Sequence, residues 1–87
     1  SVRDASEIGL SVGPLPASES ITVRGDVLPS INSIGLYDAS GNIVRSYGVY
    51  ASTAATLPLS GLASGTYRLI MTSADGSMSA SPVVISR

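Results

Sequence analysis

The sequence contains no lysine, histidine, cysteine, tryptophan or phenylalanine. Without histidine or cysteine it lacks the usual ligands of zinc and haem sites, and it cannot form a Ser-His or Cys-His catalytic pair. Without lysine it can form neither a Schiff base nor a Ser-Lys dyad. These absences remove most of the side chains that enzymes and metalloproteins use. We therefore expect a protein that is not an enzyme and that has no catalytic residues, no metal site and no cofactor.

Charge is scarce as well. Charged residues make up 13% of the chain, and the net charge is −1. The basic residues are spread along the sequence at Arg3, Arg24, Arg45, Arg68 and Arg87. Such spacing brings few cations together on a phosphate backbone, so we expect no nucleic-acid partner.

No apolar run approaches the roughly 20 residues needed to cross a bilayer, and no charged-then-apolar leader stands at the N-terminus. Apolar residues nevertheless make up 44% of the 87 residues, which is enough to offset the entropy lost on folding. A chain of this length holds one core. We therefore expect a single domain over residues 1–87, without a membrane span.

Apolar and polar residues alternate between clusters of Gly, Pro, Ser and Asp, whereas helical periodicity never lasts beyond one turn. This pattern predicts short, half-buried strands. The residues predicted to share one face of a strand are Ile8, Leu10 and Val12; Ile21 and Val23, which point inward; Ile34 and Leu36; Ile43, Arg45, Tyr47 and Val49, opposite Val44 and Ser46; and Tyr67, Leu69 and Met71. In the last strand Pro82 predicts a bulge or an edge position. Six or seven such strands predict an all-β chain folded as an immunoglobulin-like antiparallel β-sandwich, with a closed five-stranded barrel as the alternative.

Two segments predict β-hairpin turns. One is DASGN, with Asp38, Gly41 and Asn42, and the other is ADGS, with Asp75 and Gly76. Aspartate opens turns because its side chain accepts hydrogen bonds from nearby backbone, while glycine and asparagine tolerate positive φ.

The stretch GLASGTYRLIM places a tyrosine close to the start of a strand. In immunoglobulin-like sandwiches the connection into the penultimate strand holds a tyrosine whose ring packs in the core and whose hydroxyl bonds upstream backbone. Tyr67 has this position, Leu62 anchors the loop, and Gly65 is expected to supply a permissive backbone angle. We interpret Leu62, Gly65 and Tyr67 as a structural corner.

Several elements in the same order carry a family resemblance. They are Leu36, Tyr37, Asp38 and Gly41, then Leu57, Leu59, Leu62, Gly65 and Tyr67, then Asp75, Gly76, Val83, Val84 and Ile85. The stretch 34–85 resembles the C-terminal type A sorting domain of the bacterial type IX secretion system, and it is similar to small immunoglobulin-like modules of secreted Bacteroidetes proteins. The resemblance implies a non-catalytic sorting and attachment module of an exported bacterial protein, secreted or at the cell surface. Its partners would be the export machinery or a neighbouring domain. A structural or adhesive binding module is the alternative.

Two short motifs have both a functional and an ordinary interpretation. The tripeptide Arg24-Gly25-Asp26 is recognised by integrins in other proteins, but it follows a predicted strand as a turn would. Asp38, Ser40 and Asn42 alternate oxygen ligands as a calcium loop does, yet the glycine and the glutamate that such a loop requires are missing from their places. Ordinary turns account for both motifs.

The remaining candidates are surface features. The six acidic residues fall in predicted turns, loops or a strand start, where solvated carboxylates are expected. Tyr37 is predicted to face outward with Tyr47 across the same hairpin, as a cross-strand pair or, with Tyr50, as a sugar-stacking surface. The segment SPVVIS is expected to leave a strand edge that can add to a partner sheet.

Overall fold

The computed structural model describes residues 2–48 and 51–86. Over these residues the chain forms strands joined by turns and two short 3-10 segments, Ala5–Ile8 and Leu28–Ser30. The strands are β1 (Val2–Asp4), β2 (Ser11–Gly13), β3 (Ser20–Arg24), β4 (Ile31–Tyr37), β5 (Ile43–Tyr47), β6 (Ala54–Pro58), β7 (Gly65–Ser73) and β8 (Met78–Ile85). Within the described ranges no helix has the length and apolarity needed to cross a bilayer.

The strands form two sheets. Sheet A has the order β1-β8-β7-β4-β5, and sheet B has the order β2-β3-β6. The all-β sandwich is confirmed, and the order β8-β7-β4 opposite β2-β3-β6 follows the immunoglobulin-like arrangement. The closed barrel is wrong, since the strands divide into separate sheets. The predicted strand number is too low, and the sandwich is not wholly antiparallel because β1 runs parallel to β8.

The facing sides of the two sheets supply one hydrophobic core. Sheet B contributes Ile21, Val23, Ala55 and Leu57, and sheet A contributes Ile34, Leu36, Leu69, Met71, Val83 and Ile85. The inward residues predicted for β3, β4 and β7 are confirmed, with Tyr67 half-buried at the edge of this core. The strands alternate because side chains on successive residues point to opposite sides of a sheet.

The first predicted strand, EIGLSV, is wrong in its first half. Ala5–Ile8 forms a 3-10 turn instead, and the strand begins at Ser11. Asp4 and Glu7 form a capping box at the start of this turn, and Gly9 ends it with a φ of 81°. These local hydrogen bonds satisfy backbone donors that a strand would have had to pair elsewhere.

The last strand does not present a free edge, so that prediction is wrong. β1 pairs with Met78–Ala80. Further along, the Ala17 N–H donates to the Val84 carbonyl at 2.7 Å, and the Ser86 N–H donates to the Ala17 carbonyl at 2.8 Å. Pro82 lies between these contacts and, by alternation, directs its nitrogen to the same edge. Its missing N–H therefore costs no ladder hydrogen bond.

β5 contains an irregularity that the sequence pattern does not reveal. Tyr47 pairs with Ile34 and therefore lies on the inner face of sheet A. The register then shifts, and Ile43 pairs with Tyr37. Directly opposed residues share a face, so the prediction that Ile43 and Tyr47 share one side is wrong. Val49, predicted on that same side, lies outside the described residues.

Candidate functional site

The connection from β6 to β7 passes from sheet B to sheet A and contains the predicted corner. Leu62 is half-buried against the core, and its N–H donates to the Leu59 carbonyl at 3.2 Å. The residue with a left-handed backbone is Gly61, at a φ of 84°. Gly65 is instead the first residue of β7. The permissive angle expected at Gly65 therefore belongs to Gly61.

Tyr67 lies near the start of β7, and its half-buried ring packs against the core. Its hydroxyl donates to the carbonyl of Ala63 at 2.8 Å. A Cβ atom placed on Gly65 would lie 3.8 Å from the ring carbon Cε1, which is an ordinary contact distance. The ring and its hydroxyl thus tie the loop to β7, and Gly65 is not required there for space.

The DASGN segment forms the turn between β4 and β5. The Asp38 carboxylate oxygen Oδ1 accepts the N–H groups of Ser40 and Asn42, each at 3.0 Å. The Asp38 N–H donates to the Asn42 carbonyl at 2.9 Å, and Gly41 has a φ of 89°. Oδ1 of Asp38 thus serves the turn itself, and no group of three acidic side chains that could hold a metal ion occurs among the described residues.

The ADGS segment forms the turn between β7 and β8. The Ser77 hydroxyl and N–H both donate to Asp75, at 2.6 and 2.9 Å. These two bonds lower the pKa of the Asp75 carboxyl, the side-chain bond more than the backbone bond. Gly76 adopts a φ of 88°. At the 3-10 turn, bonds from the backbone and then the side chain of Ser6 lower the pKa of Asp4 in the same way.

The glycine of Arg24-Gly25-Asp26 has a packing role. A Cβ atom on Gly25 would lie 2.6 Å from the Gly9 carbonyl oxygen and 2.7 Å from Leu10 Cδ2. The Gly25 N–H also donates to the Thr53 carbonyl at 2.8 Å. The tripeptide thus ends β3 and enters the following turn against the N-terminal segment, and close packing explains why it contains glycine.

The outward side of sheet A bears a shallow groove of about 630 Å³, which we call the sheet A groove. It runs from β1, across β8 and β7, to the end of β4. Its lining includes Asp4, Tyr37, Arg68, Ile70, Ala80 and Pro82. Sequence reasoning missed this site. The available signal was that LIM in β7 and PVVI in β8 are apolar at successive positions, as in sheets that are covered on both faces.

The two tyrosines of the β4–β5 hairpin lie on opposite faces, so the predicted cross-strand pair is wrong. On the outer face, Tyr37 covers Gly35, since a Cβ atom there would lie 3.1 Å from the Tyr37 ring. On the inner side, the Tyr47 hydroxyl donates to the Pro58 carbonyl at 2.8 Å. Arg45 donates to the same carbonyl at 3.4 Å. Tyr50 lies outside the described residues.

The comparison with protein families has one result. A family model described as the secretion system C-terminal sorting domain matches residues 11–86. The matched region contains β2 to β8, the corner and both hairpin turns, and it leaves β1 and the first 3-10 turn outside. No curated protein sequence matches the chain significantly. Since the family model covers most of the sequence and agrees with the resemblance of residues 34–85, the chain belongs to the family of C-terminal sorting domains of the type IX secretion system.

Proposed function

We propose that residues 1–87 form a single non-catalytic sandwich module that sorts an exported bacterial protein and attaches it at the cell surface. The family assignment carries the proposal, because type IX sorting domains mark their proteins for secretion or for the cell surface. The family is non-catalytic, in line with the scarcity of reactive side chains. One core that draws on residues from Ala5 to Ile85 supports a single domain.

The export machinery is the proposed partner, and we infer that it recognises a face of the folded domain rather than a free strand. Two features support this inference. β8 is covered by β1 and by Ala17. On the opposite flank, side chains of β5 reach the end of β6 at the Pro58 carbonyl. Strand addition to β8 would first have to displace β1 and Ala17, and the Pro58 carbonyl of β6 already accepts side-chain hydrogen bonds.

An adhesive or structural module is the second candidate. The observation in its favour is the exposure of large apolar side chains on the outer face of sheet A, including Val2, Met78 and Val84. Such patches mark interaction surfaces of any kind. The sorting function is preferred because the matching family model describes a sorting domain.

A secretion experiment separates the two candidates. Residues 1–87 are fused to the C-terminus of a reporter with a periplasmic signal and expressed in a bacterium that has type IX secretion. We expect the reporter at the cell surface or in the medium, and we expect it to stay in the periplasm of a strain without the secretion machinery. A folded fusion that stays in the periplasm of the competent strain would contradict the sorting function.

A further inference from the structure

The sheet A groove is amphipathic, and Arg68 lies at its centre. In strand order, Arg68 on β7 pairs with Tyr37 on one side and Pro82 on the other. The next row of the same face contains Ile70 and Ala80. The exposed guanidinium group thus lies in a row with an aromatic and an aliphatic side chain, while the hydroxyl-bearing Thr66 and Ser81 also line the groove.

Arg68 has no ion-pair partner within 4.0 Å among the residues that the structure describes. Two carboxylates line the same groove, yet each is bound by its own turn. Asp4 accepts the N–H and the hydroxyl of Ser6, and Asp38 accepts backbone N–H groups of its hairpin. The turn chemistry therefore holds these carboxylates away and leaves the guanidinium open to a ligand.

The charges follow an order along the groove. Arg3 and Asp4 lie on β1 at one end, where their charges offset each other, Arg68 lies on β7, and Asp38 follows β4 at the other end. The complementary ligand carries one anionic group at its centre, a neutral group at the β1 end and a neutral or basic group at the end beside Asp38. A membrane surface of anionic lipids does not fit this order, because it would place negative charge against both aspartates.

The side chains at the base of the sheet A groove favour a peptide over a sugar. Ile70, Ala80 and Pro82 offer aliphatic surface, and Tyr37 already lies over Gly35. Apolar peptide side chains match such a floor, whereas a sugar needs several hydrogen-bonding groups to replace the water it loses. A guanidinium group in turn binds carboxylates through strong, charge-assisted hydrogen bonds.

We propose that the sheet A groove binds an extended segment of a partner protein in which apolar residues flank one glutamate or aspartate, with Arg68 holding its carboxylate. The proposal deepens the sorting function, because it rests on that function and names the surface that the export machinery would recognise. It is tested first by a binding measurement that involves no secretion, so the two proposals can fail separately.

The probe is the peptide acetyl-Lys-Val-Glu-Val-Lys-amide, titrated into the ¹⁵N-labelled protein and followed by backbone amide shifts. The matched probe has glutamine in place of glutamate. We expect the amide shifts to cluster at the groove, at residues 37, 68, 70 and 80, with the glutamate peptide binding about tenfold more tightly than the glutamine peptide. In Arg68→Gln this preference should be lost, with the remaining amide spectrum unchanged.

Arg24→Gln is the matched control, since Arg24 is an exposed arginine on the outer face of sheet B. It should keep the full preference for the glutamate peptide. Equal binding of the two peptides, shifts that map to sheet B, or the same loss in Arg24→Gln would overturn the proposal. Glucuronic acid binding as tightly as the peptide would overturn the assignment to a protein segment.

A second measurement addresses the partner. The secretion reporter is repeated with Arg68→Gln and with Arg24→Gln in the fused domain. We expect export to fall at least several-fold with Arg68→Gln only. Full export of a correctly folded Arg68→Gln fusion would overturn the assignment of the groove to the export machinery, even where the peptide binds.

Discussion

The outer faces of the two sheets differ in chemistry although both lie on the surface. The outer face of sheet B carries small residues, hydroxyls and an arginine, as in the pairs Thr22–Thr56 and Arg24–Ala54. The outer face of sheet A carries Val2, Ile43, Met78 and Val84, whose exposed fractions are 44, 52, 38 and 41%. One sheet thus has a single apolar face, and the other has two.

This difference locates the interaction surface. An antiparallel sheet that packs on one side only alternates apolar and polar residues, as sheet B does. Apolar residues on both faces are typical of a sheet that is covered on both sides, or that becomes covered when a partner binds. The inner faces make the fold, so the outer face of sheet A is the part of the surface that core packing does not account for.

The inner faces of the two sheets are expected to contribute equally to stability. Truncating a buried leucine on either face should give the largest loss in the free energy of unfolding, so this test comes first. Leu57 in sheet B and Leu69 in sheet A are both fully buried. Leu57→Ala and Leu69→Ala should each lower the free energy of unfolding by about 3–5 kcal/mol, because each loses buried methyl groups and leaves a cavity. Urea unfolding measures this. If one substitution costs less than half of the other, the two layers do not contribute alike.

The corner joins the sheets, and its tyrosine should have the next largest effect. Tyr67→Ala should cost about 3 kcal/mol, toward the lower end for aromatic side chains because the ring is half-buried. Tyr67→Phe keeps the ring and loses the bond to Ala63, so about 1 kcal/mol is expected. Denaturant unfolding of both variants separates ring from hydroxyl. If Tyr67→Ala leaves the denaturant concentration at the unfolding midpoint unchanged, the corner does not stabilise the fold.

A defect in the inner face of sheet A gives an effect of opposite sign. Ser79 is 2% exposed, and its hydroxyl has no hydrogen-bond partner among the described residues. Ser79→Ala should raise the free energy of unfolding by about 1 kcal/mol, because an unsatisfied buried hydroxyl is destabilising. Ser81→Ala is the control, since the Ser81 hydroxyl donates to the Pro82 carbonyl at 3.3 Å. Destabilisation in Ser79→Ala would mean that its hydroxyl is satisfied in solution.

The outer faces should differ in binding rather than in stability. The double change Met78→Ser and Val84→Ser removes two exposed apolar side chains from sheet A. It should alter the free energy of unfolding by no more than about 0.5 kcal/mol per site, and it should reduce the fluorescence of a hydrophobic dye added to the folded protein. Thr22→Ser with Thr56→Ser is the matched change on sheet B and should leave the dye signal unaltered. If both double variants change the dye fluorescence equally, the outer faces of the two sheets do not differ in exposed apolar surface.

Acid should weaken two turns that border sheet A, and this effect is the smallest. The pKa values of Asp4 and Asp75 are lowered from 3.8 by hydrogen bonds from Ser6 and Ser77. Because the folded pKa is the lower one, the stabilisation is complete above the unfolded value and is lost as pH falls through the folded value. The double change Asp4→Asn and Asp75→Asn should flatten the dependence of Tm on pH below 3.8. A slope equal to that of the unmodified domain would contradict this assignment.

Much of the site chemistry can be predicted from neighbouring residues. The two hairpin turns follow from Asp-Gly and Gly-Asn chemistry, and Tyr67 has the position that a sandwich corner requires. The error at Gly65 has a simple physical origin. The segment contains two glycines four residues apart, Gly61 and Gly65, and only the path of the loop decides which of them takes the left-handed backbone. The three residues of β1 are all exposed, so they lack the alternation by which other strands are recognised.

The sequence by itself determined that the chain lacks histidine, cysteine and lysine and that it is all-β, because alternation and turn chemistry act between residues that are close along the chain. Only the tertiary structure decided that β1 closes part of the β8 edge, that β5 shifts its register, and that Arg68 stands between two carboxylates already engaged by their own turns. These features join segments from distant parts of the sequence. Which distant segments pair is decided by packing and strand pairing across the whole fold, and a local sequence pattern does not predict these contacts.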